Sequence, residues 1–357
     1  MRIVQICETV DRGVDGCSKP IRDISDIILS IGIEKFRIKR YSSRSRILQN
    51  LFRVMWWFQS KIYAKRLPGS AYVVVQYPGE FFTGKLGFWF INEKLLRRKK
   101  IHLVVVVHDL NSQRFGDAWR TGTLSTGENR LLRMADLIVV HCKEMVDWLE
   151  NKGIPRDKMI PLGIFDYLHA HDFLAGQKKD SGVAIAGNLN VEMCAFLPLL
   201  KNIKDVEWNL YGAGYDEGQC SAGNIRYRGC FSPEELPRKI NAGFGLAWYG
   251  NSVDTITDPW GRYLKIIFVH KLSFYLSIGL PVIVWKESAM AEFVSREGVG
   301  LVVGSLNEIG QLINSLNENE YVSMVENARR IGARLRQGYY TRRAFRQLME
   351  RLANSCI

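Results

Sequence analysis

Strand-like apolar runs alternate with helix-length amphipathic stretches along the whole chain, and they form two series. The first series covers residues 3–7, 72–76, 103–107 and 137–140, and the second covers residues 183–186, 208–211, 244–248, 281–285 and 300–303. Several runs are unbroken blocks of Val, Ile and Leu, which is typical of parallel strands covered by helices on both faces. The alternation predicts an α/β protein with two doubly wound, Rossmann-like domains.

The length of 357 residues fits this division, because one ordinary core rarely extends that far. A polar segment over residues 166–180 separates the two series. We therefore predict a first domain over residues 1–168 and a second over residues 169–338. A helical pattern over residues 339–357 is expected to return to the first domain. Capping-box patterns at Ser232–Glu235 and Ser305–Glu308 predict helix starts in the second domain.

The cysteines and the hydropathy pattern indicate where the protein works. Seven cysteines are scattered without a CxxC pair, as expected for free thiols in a reducing cytosol. The longest uncharged stretches, residues 240–253 and 272–285, are shorter than the roughly 18 residues that a membrane-spanning helix needs. The short apolar start of the chain is typical of a first strand and not of a signal peptide. We expect a cytoplasmic protein.

The formal charge of +13 suggests an anionic partner. Its basic residues concentrate between Lys35 and Lys100 and are interleaved with tryptophan and phenylalanine, which suits a membrane interface better than nucleic acid. Over residues 44–66, apolar side chains recur at helical spacing with basic residues around them. Such a helix can lie on an anionic membrane surface, at the inner face of the cell membrane. A core-packed helix with a solvated basic side is the competing interpretation.

Two glycine turns follow strands of the second series, where ligands of α/β sheets bind. Gly187 and Asn188 end the first of these strands, so backbone amides and the Asn188 side chain can approach a diphosphate or a ribose. Tyr211 and Gly212 end the next strand, where a nucleobase can lie against the backbone or the tyrosine. Ordinary strand–helix turns would have the same sequence.

A third segment begins at His270 and Lys271, in the first turn of a predicted amphipathic helix. Free amides and positive potential at a helix N-terminus, together with the lysine charge, favour a diphosphate. Ser273 lies in the same turn. For any single lysine, a solvated surface position is the usual alternative.

In the first series, His108 and Asp109 follow the most apolar strand. A His–Asp pair at this position can supply the general base for an acceptor hydroxyl. A structural histidine with a capping aspartate is the alternative.

Several motifs do not occur in the sequence. It has no DxD triplet, the metal–diphosphate device of single-domain transferases, and no P-loop, GxSxG or GxGxxG motif. We therefore expect chemistry without a metal or a nicotinamide cofactor.

Taken together, the motifs GNL, NLYGAGYDE, FSPEELP, GFGLAWYGNSVDT and HKLSFYLSIGLPVIVWKESAMAEFV resemble the bacterial β-1,6-galactofuranosyltransferase family. That family is similar to the glucosyltransferases that extend O-GlcNAc on streptococcal adhesins. The resemblance implies a GT-B fold and a UDP-sugar donor held by the second domain without a metal. It places Gly187, Asn188, Tyr211, Gly212, His270, Lys271 and Ser273 near the nucleotide. The family's acceptors imply a saccharide acceptor that is lipid-linked in polysaccharide assembly.

The sequence departs from the family at several positions that bear on the donor. A basic residue often follows the GNL asparagine in the family, whereas Asn190, Val191 and Glu192 stand here; Arg228, Arg262 or Lys265 would have to replace it. The family's WDGDS is Trp248–Ser252 (WYGNS) here.

These observations predict a hexosyltransferase. Galactofuranose is the leading candidate for the donor sugar, and glucose is the second. Lys271 would stabilise the leaving diphosphate, and Asp109 or His108 would act as the base. The rival is a non-catalytic subunit of the same shape that binds sugar nucleotides or serves in assembly. The oligomeric state stays open, with a homo-oligomer among the alternatives.

Overall fold

A computed structural model describes residues 2–9, 19–39, 55, 58–59, 61–78, 93–114, 122–192 and 194–354. The chain divides into two compact units. The first comprises Met1–Gly13, Ile24–Leu162 and Thr341–Ile357, and the second comprises Val14–Asp23 and Gly163–Tyr340.

The first unit contains a six-stranded parallel sheet in the order β2-β1-β3-β4-β5-β6. Its strands are β1 (Ile3–Thr9), β2 (Glu34–Lys39), β3 (Tyr72–Tyr77), β4 (His102–Val107), β5 (Leu137–Val140) and β6 (Met159–Pro161). The helices along this part of the chain are α1 (Lys19–Ser30), α2 (Glu93–Lys99), α3 (Asn111–Arg114), α4 (Thr126–Met134) and α5 (Lys143–Glu150). Strands β3 and β4 form the centre of the core, because both of their faces are covered.

The second unit repeats this architecture with the strand order β12-β11-β10-β7-β8-β9, again all parallel. Its strands are β7 (Val183–Ala186), β8 (Trp208–Tyr211), β9 (Ile225–Gly229), β10 (Phe244–Ala247), β11 (Val282–Trp285) and β12 (Gly300–Val303). The helices that follow are α6 (Glu217–Cys220), α7 (Pro259–Leu264), α8 (His270–Ser277), α9 (Met290–Glu297), α10 (Ile309–Ser315), α11 (Glu318–Arg336) and α12 (Tyr339–Asn354). The strand order reverses between β7 and β10, so a ligand is expected beside the ends of these two strands.

All nine predicted strands are present, so the prediction of two doubly wound α/β sheets is confirmed. Three further strands, β2, β6 and β9, were not predicted. Each lies at the edge of a sheet, where one side of the strand has no neighbour. Such strands carry exposed polar residues, as at Glu34 and Arg226, and lack the apolar runs of the interior strands.

The segment between the two series lies with the second unit. The backbone N–H of Tyr167 donates to Leu335, and Asp166 accepts from the N–H of Tyr340, at 3.3 and 3.2 Å. Residues 163–168, which the sequence-based division placed in the first domain, therefore belong to the second unit. Helix α12 enters the first unit from Thr341 onward, and its Arg343 donates to the carbonyl of Leu162.

The two predicted capping boxes are followed by different elements. Ser232 and Glu235 exchange the expected hydrogen bonds, but only a short 3-10 turn follows, since Pro237 interrupts the pattern. Ser305 caps another 3-10 turn that continues into α10.

Much of the basic amphipathic segment predicted over residues 44–66 lies outside the described residues. Residue 55, residues 58–59 and residues 61–66 are helical. In the described part of the chain, no helix has both the length and the apolar character to cross a membrane.

Candidate functional site

Two glycines bring the ends of β7 and β8 into direct backbone contact in the second unit. The N–H of Gly187 donates to the carbonyl of Tyr211 at 2.8 Å, and Gly187 has a φ of +109°. A Cβ atom on Gly212 would lie 1.7 Å from the carbonyl oxygen of Gly187. A side chain at Gly212 therefore cannot be accommodated without moving β7, and the turn presents bare backbone at the strand ends.

Helix α8 is anchored against the end of β7 by a buried tyrosine. The hydroxyl of Tyr275 accepts from the N–H of Ala186 and donates to the carbonyl of Ala184, at 2.8 and 3.2 Å. The Tyr275 ring fills the space beside Gly245, where an added Cβ would lie 2.3 Å from it. These contacts fix the first turn of α8 next to the Gly187 turn.

Lys271, in that first turn, holds its ammonium group in a buried position. The Nζ atom lies 4.5 Å above the centre of the Tyr249 ring, and the described residues give it no hydrogen-bond partner. The side chain runs past Gly187, since a Cβ there would lie 3.3 Å from the Lys271 Cε. No side chain caps the N-terminus of α8. A buried cation without an anion is costly, so this position is prepared for an anionic ligand.

Asn188 belongs to the same turn. Its side-chain oxygen accepts from the N–H of Asn190 at 2.9 Å, and the N–H of Leu189 donates to the carbonyl of Ala213. The loop is thus held in one conformation. Because the oxygen serves the loop, a ligand contact from Asn188 would come from the amide nitrogen.

His270 and Ser273, the other residues of α8 that were predicted near the nucleotide, have different surroundings. His270 packs against the rings of Tyr167 and Phe165, at 5.2 and 6.2 Å. Ser273 is 1% exposed, so its hydroxyl faces the interior of the unit.

The sequence offered two surfaces for a nucleobase at this turn, the backbone or the Tyr211 ring, and the burial of the ring favours the backbone. Tyr211 is 1% exposed, and its hydroxyl bonds to the backbone of Asn241. All four residues of β8 are buried, because helices cover both faces of a doubly wound sheet, and the Tyr211 ring is part of that core. Tyr211 therefore shapes the turn through its backbone.

An exposed aromatic pair stands beside the same turn instead. The rings of Tyr215 and Tyr227 are stacked at 4.4 Å with 6° between their planes. Tyr227 is 43% exposed and donates its hydroxyl to the carbonyl of Gly212 at 3.0 Å. Sequence reasoning missed this pair because Tyr227 lies on the unpredicted edge strand β9.

Two of the three cations considered as replacements for the family's basic residue are already paired. Arg228 bonds to Asn209 and Glu207, and Lys265 forms an ion pair with Glu287 at 2.7 Å. Arg262 is exposed on α7. Lys271, in contrast to Arg228 and Lys265, has no hydrogen-bond or ion-pair partner among the described residues, and its side chain runs past the Gly187 turn.

In the first unit, His108 and Asp109 follow β4 as predicted but differ in environment. His108 is buried, and its Nε2 lies 2.6 Å from the side-chain oxygen of Gln76. Its carbonyl accepts from the ring of His141. Asp109 has 28% of its side chain exposed and accepts from Arg114 at 2.7 Å. Asp109 is therefore the better placed of the two to meet an acceptor.

A groove of about 890 Å³ in the first unit is distinct from these residues. It lies at the amino ends of the strands, beside His102 at the start of β4, whereas His108 and Asp109 follow the carboxyl end of that strand. Its basic residues include Arg97 and Arg133, which stand in the last turns of α2 and α4. Cations there stabilise helix C-termini, which explains this charge without a ligand.

Comparisons with known proteins show the family to which the chain belongs. Two models of one family match: "Glucosyltransferase 3-like, N-terminal domain" over residues 4–164 and "Glucosyltransferase 3-like, C-terminal domain" over residues 183–348. The β-1,6-galactofuranosyltransferase WbbI of Escherichia coli K12 is 32% identical over 270 residues, covering 74% of this chain and 76% of WbbI.

Solved structures share the fold at low sequence identity. Sucrose-phosphate synthase from Thermosynechococcus elongatus aligns with a TM-score of 0.65 and 14% identity, over 99% of this chain and 100% of that one. HepE of Anabaena, solved with UDP-glucose, aligns at 0.57 and 13%, over 99% and 100%. Fold and relatives together define a glycosyltransferase with the GT-B fold. The chain belongs to the glucosyltransferase 3-like family.

Proposed function

We propose that this glycosyltransferase moves a hexose from a UDP-sugar to a saccharide hydroxyl without a metal ion. The buried ammonium of Lys271 beside the Gly187 turn is the observation that carries the proposal. Galactofuranose is the first choice of sugar because WbbI bears that activity in its name. Glucose is the second, after the name of the matched family.

In this proposal Lys271 and the N-terminal amides of α8 stabilise the charge that develops on the diphosphate as the glycosidic bond breaks. Fixed positive groups in a site shielded from water are more effective than the same groups in solution. The Gly187 and Gly212 turns let the phosphates reach the backbone. Asn188 would donate to the phosphates or the ribose, and His270 would keep the first turn of α8 in position.

The nucleobase is proposed to stack on the Tyr215–Tyr227 pair. Contacts run without a gap from Lys271 to Gly187, from Gly187 to Gly212 and from Gly212 to Tyr227. A nucleoside diphosphate bound along this line would place its phosphates at the lysine and its base at the tyrosines. Flat rings with exposed surface are the usual partners of a base.

On the acceptor side, Asp109 is proposed as the general base, with His108 as the alternative. Asp109 is partly exposed and its carboxylate is oriented by Arg114. A carboxylate within hydrogen-bond reach of a sugar hydroxyl can take its proton as the new bond forms.

Contact with the inner face of the cell membrane is a further part of the proposal. Phe58 and Ile62 are 57% and 49% exposed and lie one helical turn apart, with exposed Lys61, Lys65 and Arg66 close by in sequence. Apolar side chains beside basic ones favour an anionic lipid surface. Such a position would suit a lipid-linked acceptor.

A UDP-release assay across a panel of UDP-sugars tests the proposed function. UDP-galactofuranose, UDP-glucose and UDP-N-acetylglucosamine are offered with a mixture of saccharide acceptors, and acceptor-dependent UDP release is measured. Release with UDP-galactofuranose or UDP-glucose would support a hexosyltransferase. Binding of UDP without release from any donor would favour the non-catalytic subunit.

A further inference from the structure

We propose that Tyr249 is a positioning residue that holds the Lys271 ammonium ready for the diphosphate, through its ring face instead of an anionic partner. This inference rests on the proposed function, because it assigns a task to the residue behind the proposed diphosphate cation.

The geometry of the lysine and the ring is that of a cation–π pair. The Lys271 Nζ lies 4.5 Å from the centre of the Tyr249 ring, within the roughly 6 Å at which such pairs are favourable. The described residues provide no carboxylate within ion-pair distance of Lys271 and no hydrogen bond to its buried Nζ. The ring is therefore the principal electrostatic support of this charge that the structure shows.

The Tyr249 ring is packed against a second aromatic side chain. Trp260 stacks on Tyr249 at 5.2 Å with 21° between the ring planes. Trp260 lies in the first turn of α7, where its N–H donates to the capping carboxylate of Asp258 at 2.9 Å. The Tyr249 ring thus contacts both the Lys271 ammonium and the Trp260 ring, and Trp260 is in turn fixed by a helix cap.

The loop that carries Tyr249 is also fixed. Trp248 is fully buried, and its indole donates to the carbonyl of Ser252 at 2.9 Å. Gly250 has a φ of +94°, and a Cβ there would meet Asp258 at 2.9 Å. Tyr249 is therefore placed by its neighbours before any ligand binds.

A ring and a carboxylate have different consequences for the bound anion. A carboxylate would neutralise the ammonium and compete with the phosphates, whereas a ring steadies the ammonium and leaves its full charge. A neutral support is therefore suited to a cation that must interact with a diphosphate. Tyr249 should matter for the β-phosphate and not for the nucleoside.

Binding of UDP and UMP, measured by titration calorimetry, tests this assignment. The variants are Tyr249→Phe, Tyr249→Leu and Tyr249→Glu. Tyr339→Leu is the matched control, since Tyr339 forms a cation–π pair with Arg334 on another surface of the second unit. UMP lacks the β-phosphate, so its affinity reports on the fold and on the nucleoside contacts alone.

We expect Tyr249→Phe and Tyr339→Leu to bind UDP within about threefold of wild type, because an aromatic ring remains at position 249. Tyr249→Leu should weaken UDP binding by roughly 5- to 30-fold and leave UMP binding within about twofold. Tyr249→Glu should weaken UDP binding at least as much, because the acid pairs with Lys271.

Two results would overturn the assignment: UDP binding unchanged in Tyr249→Leu, or equal weakening of UDP and UMP. A wild-type protein that binds neither nucleotide would instead contradict the proposed function.

Discussion

Lys271 occupies a position that is costly for the free protein. Its ammonium is buried without a hydrogen-bond partner among the described residues, and only part of the cost is offset by the Tyr249 ring. Groups that a ligand must meet are often held in this way, because they are then already oriented and desolvated when the ligand arrives.

Replacing Lys271 with alanine should reduce transfer by about 100- to 1000-fold, roughly the 3 to 4 kcal/mol that one such electrostatic contact provides. The effect follows from the loss of the cation at the diphosphate. Steady-state rates of UDP release measure it. The matched control is Lys265→Ala, which removes an exposed lysine from its ion pair with Glu287. Turnover of Lys271→Ala within threefold of wild type would remove this residue from the mechanism.

Replacing Asp109 with asparagine should lower the catalytic rate by about a hundredfold and leave UDP affinity unchanged, since a base acts on the acceptor. Rates at saturating donor and a UDP titration separate the two quantities. Asp147→Asn, which breaks a surface ion pair with Arg156, is the control. An unchanged rate would shift the assignment to His108.

The sequence singles out Lys271 and His108–Asp109 as candidates because each stands directly after a recognisable strand or at a helix start. It could not find the support behind them. Tyr249 and Trp260 are eleven residues apart and meet only because a loop turns back on α7. The sequence placed Tyr211 at the end of a strand but could not show that its ring is buried, which leaves the backbone of the turn as the surface for a ligand.

Among the elements, all the interior strands were predicted, whereas three of the four edge strands were not, the exception being β12 with its apolar run. Strands β3 and β4 carry continuous apolar runs because both faces are covered, whereas β2, β6 and β9 each lack a neighbour on one side. The missed edge strand β9 carries Tyr227, one of the two rings proposed to stack on the nucleobase.

His169, which lies in the second unit, makes the free energy of unfolding depend on pH. Burial, together with the charge of Arg336, lowers the pKa of His169 to about 4. Its Nε2 faces the carbonyl and hydroxyl oxygens of Ser277 at 3.2 and 3.1 Å. In the unfolded chain a histidine has a pKa of about 6.5, so the unfolded state gains a proton first as the pH falls.

Stability from this histidine should therefore be fully present above pH 6.5 and decrease as the pH falls from about 6.5 to about 4. Thermal unfolding midpoints across this range measure the effect. His169→Gln should flatten the pH dependence, whereas His102→Gln, at an exposed histidine, should not. Parallel pH profiles for wild type and His169→Gln would contradict this account.

The helical residues 58–59 and 61–66 provide a second test at the scale of elements. The double variant Phe58→Ser, Ile62→Ser should lose most of its binding to vesicles that contain anionic lipid, because the apolar contact is removed. Val322→Ser is the control, at a valine on α11 that is 48% exposed. Co-sedimentation at low and physiological salt measures binding. Wild-type protein that stays in the supernatant throughout would leave a helix with no membrane role.

At the scale of the molecule, the fold was predictable because its signal is repeated. The described residues contain twelve parallel strands in two sheets, and most of these strands carry an apolar run of their own. Missing three of the strands therefore does not change the predicted fold class. The donor sugar is not predictable in this way, since it depends on a few polar contacts.

The central claim is that transfer proceeds by a cation of the protein and not by a metal ion. The most direct test is acceptor-dependent UDP release in excess EDTA, measured for wild type and for Lys271→Ala side by side. We predict that wild type keeps its full rate under chelation and that Lys271→Ala is about 100-fold slower or worse with or without added metal. Loss of wild-type activity in EDTA, with recovery on adding manganese or magnesium, would contradict the claim.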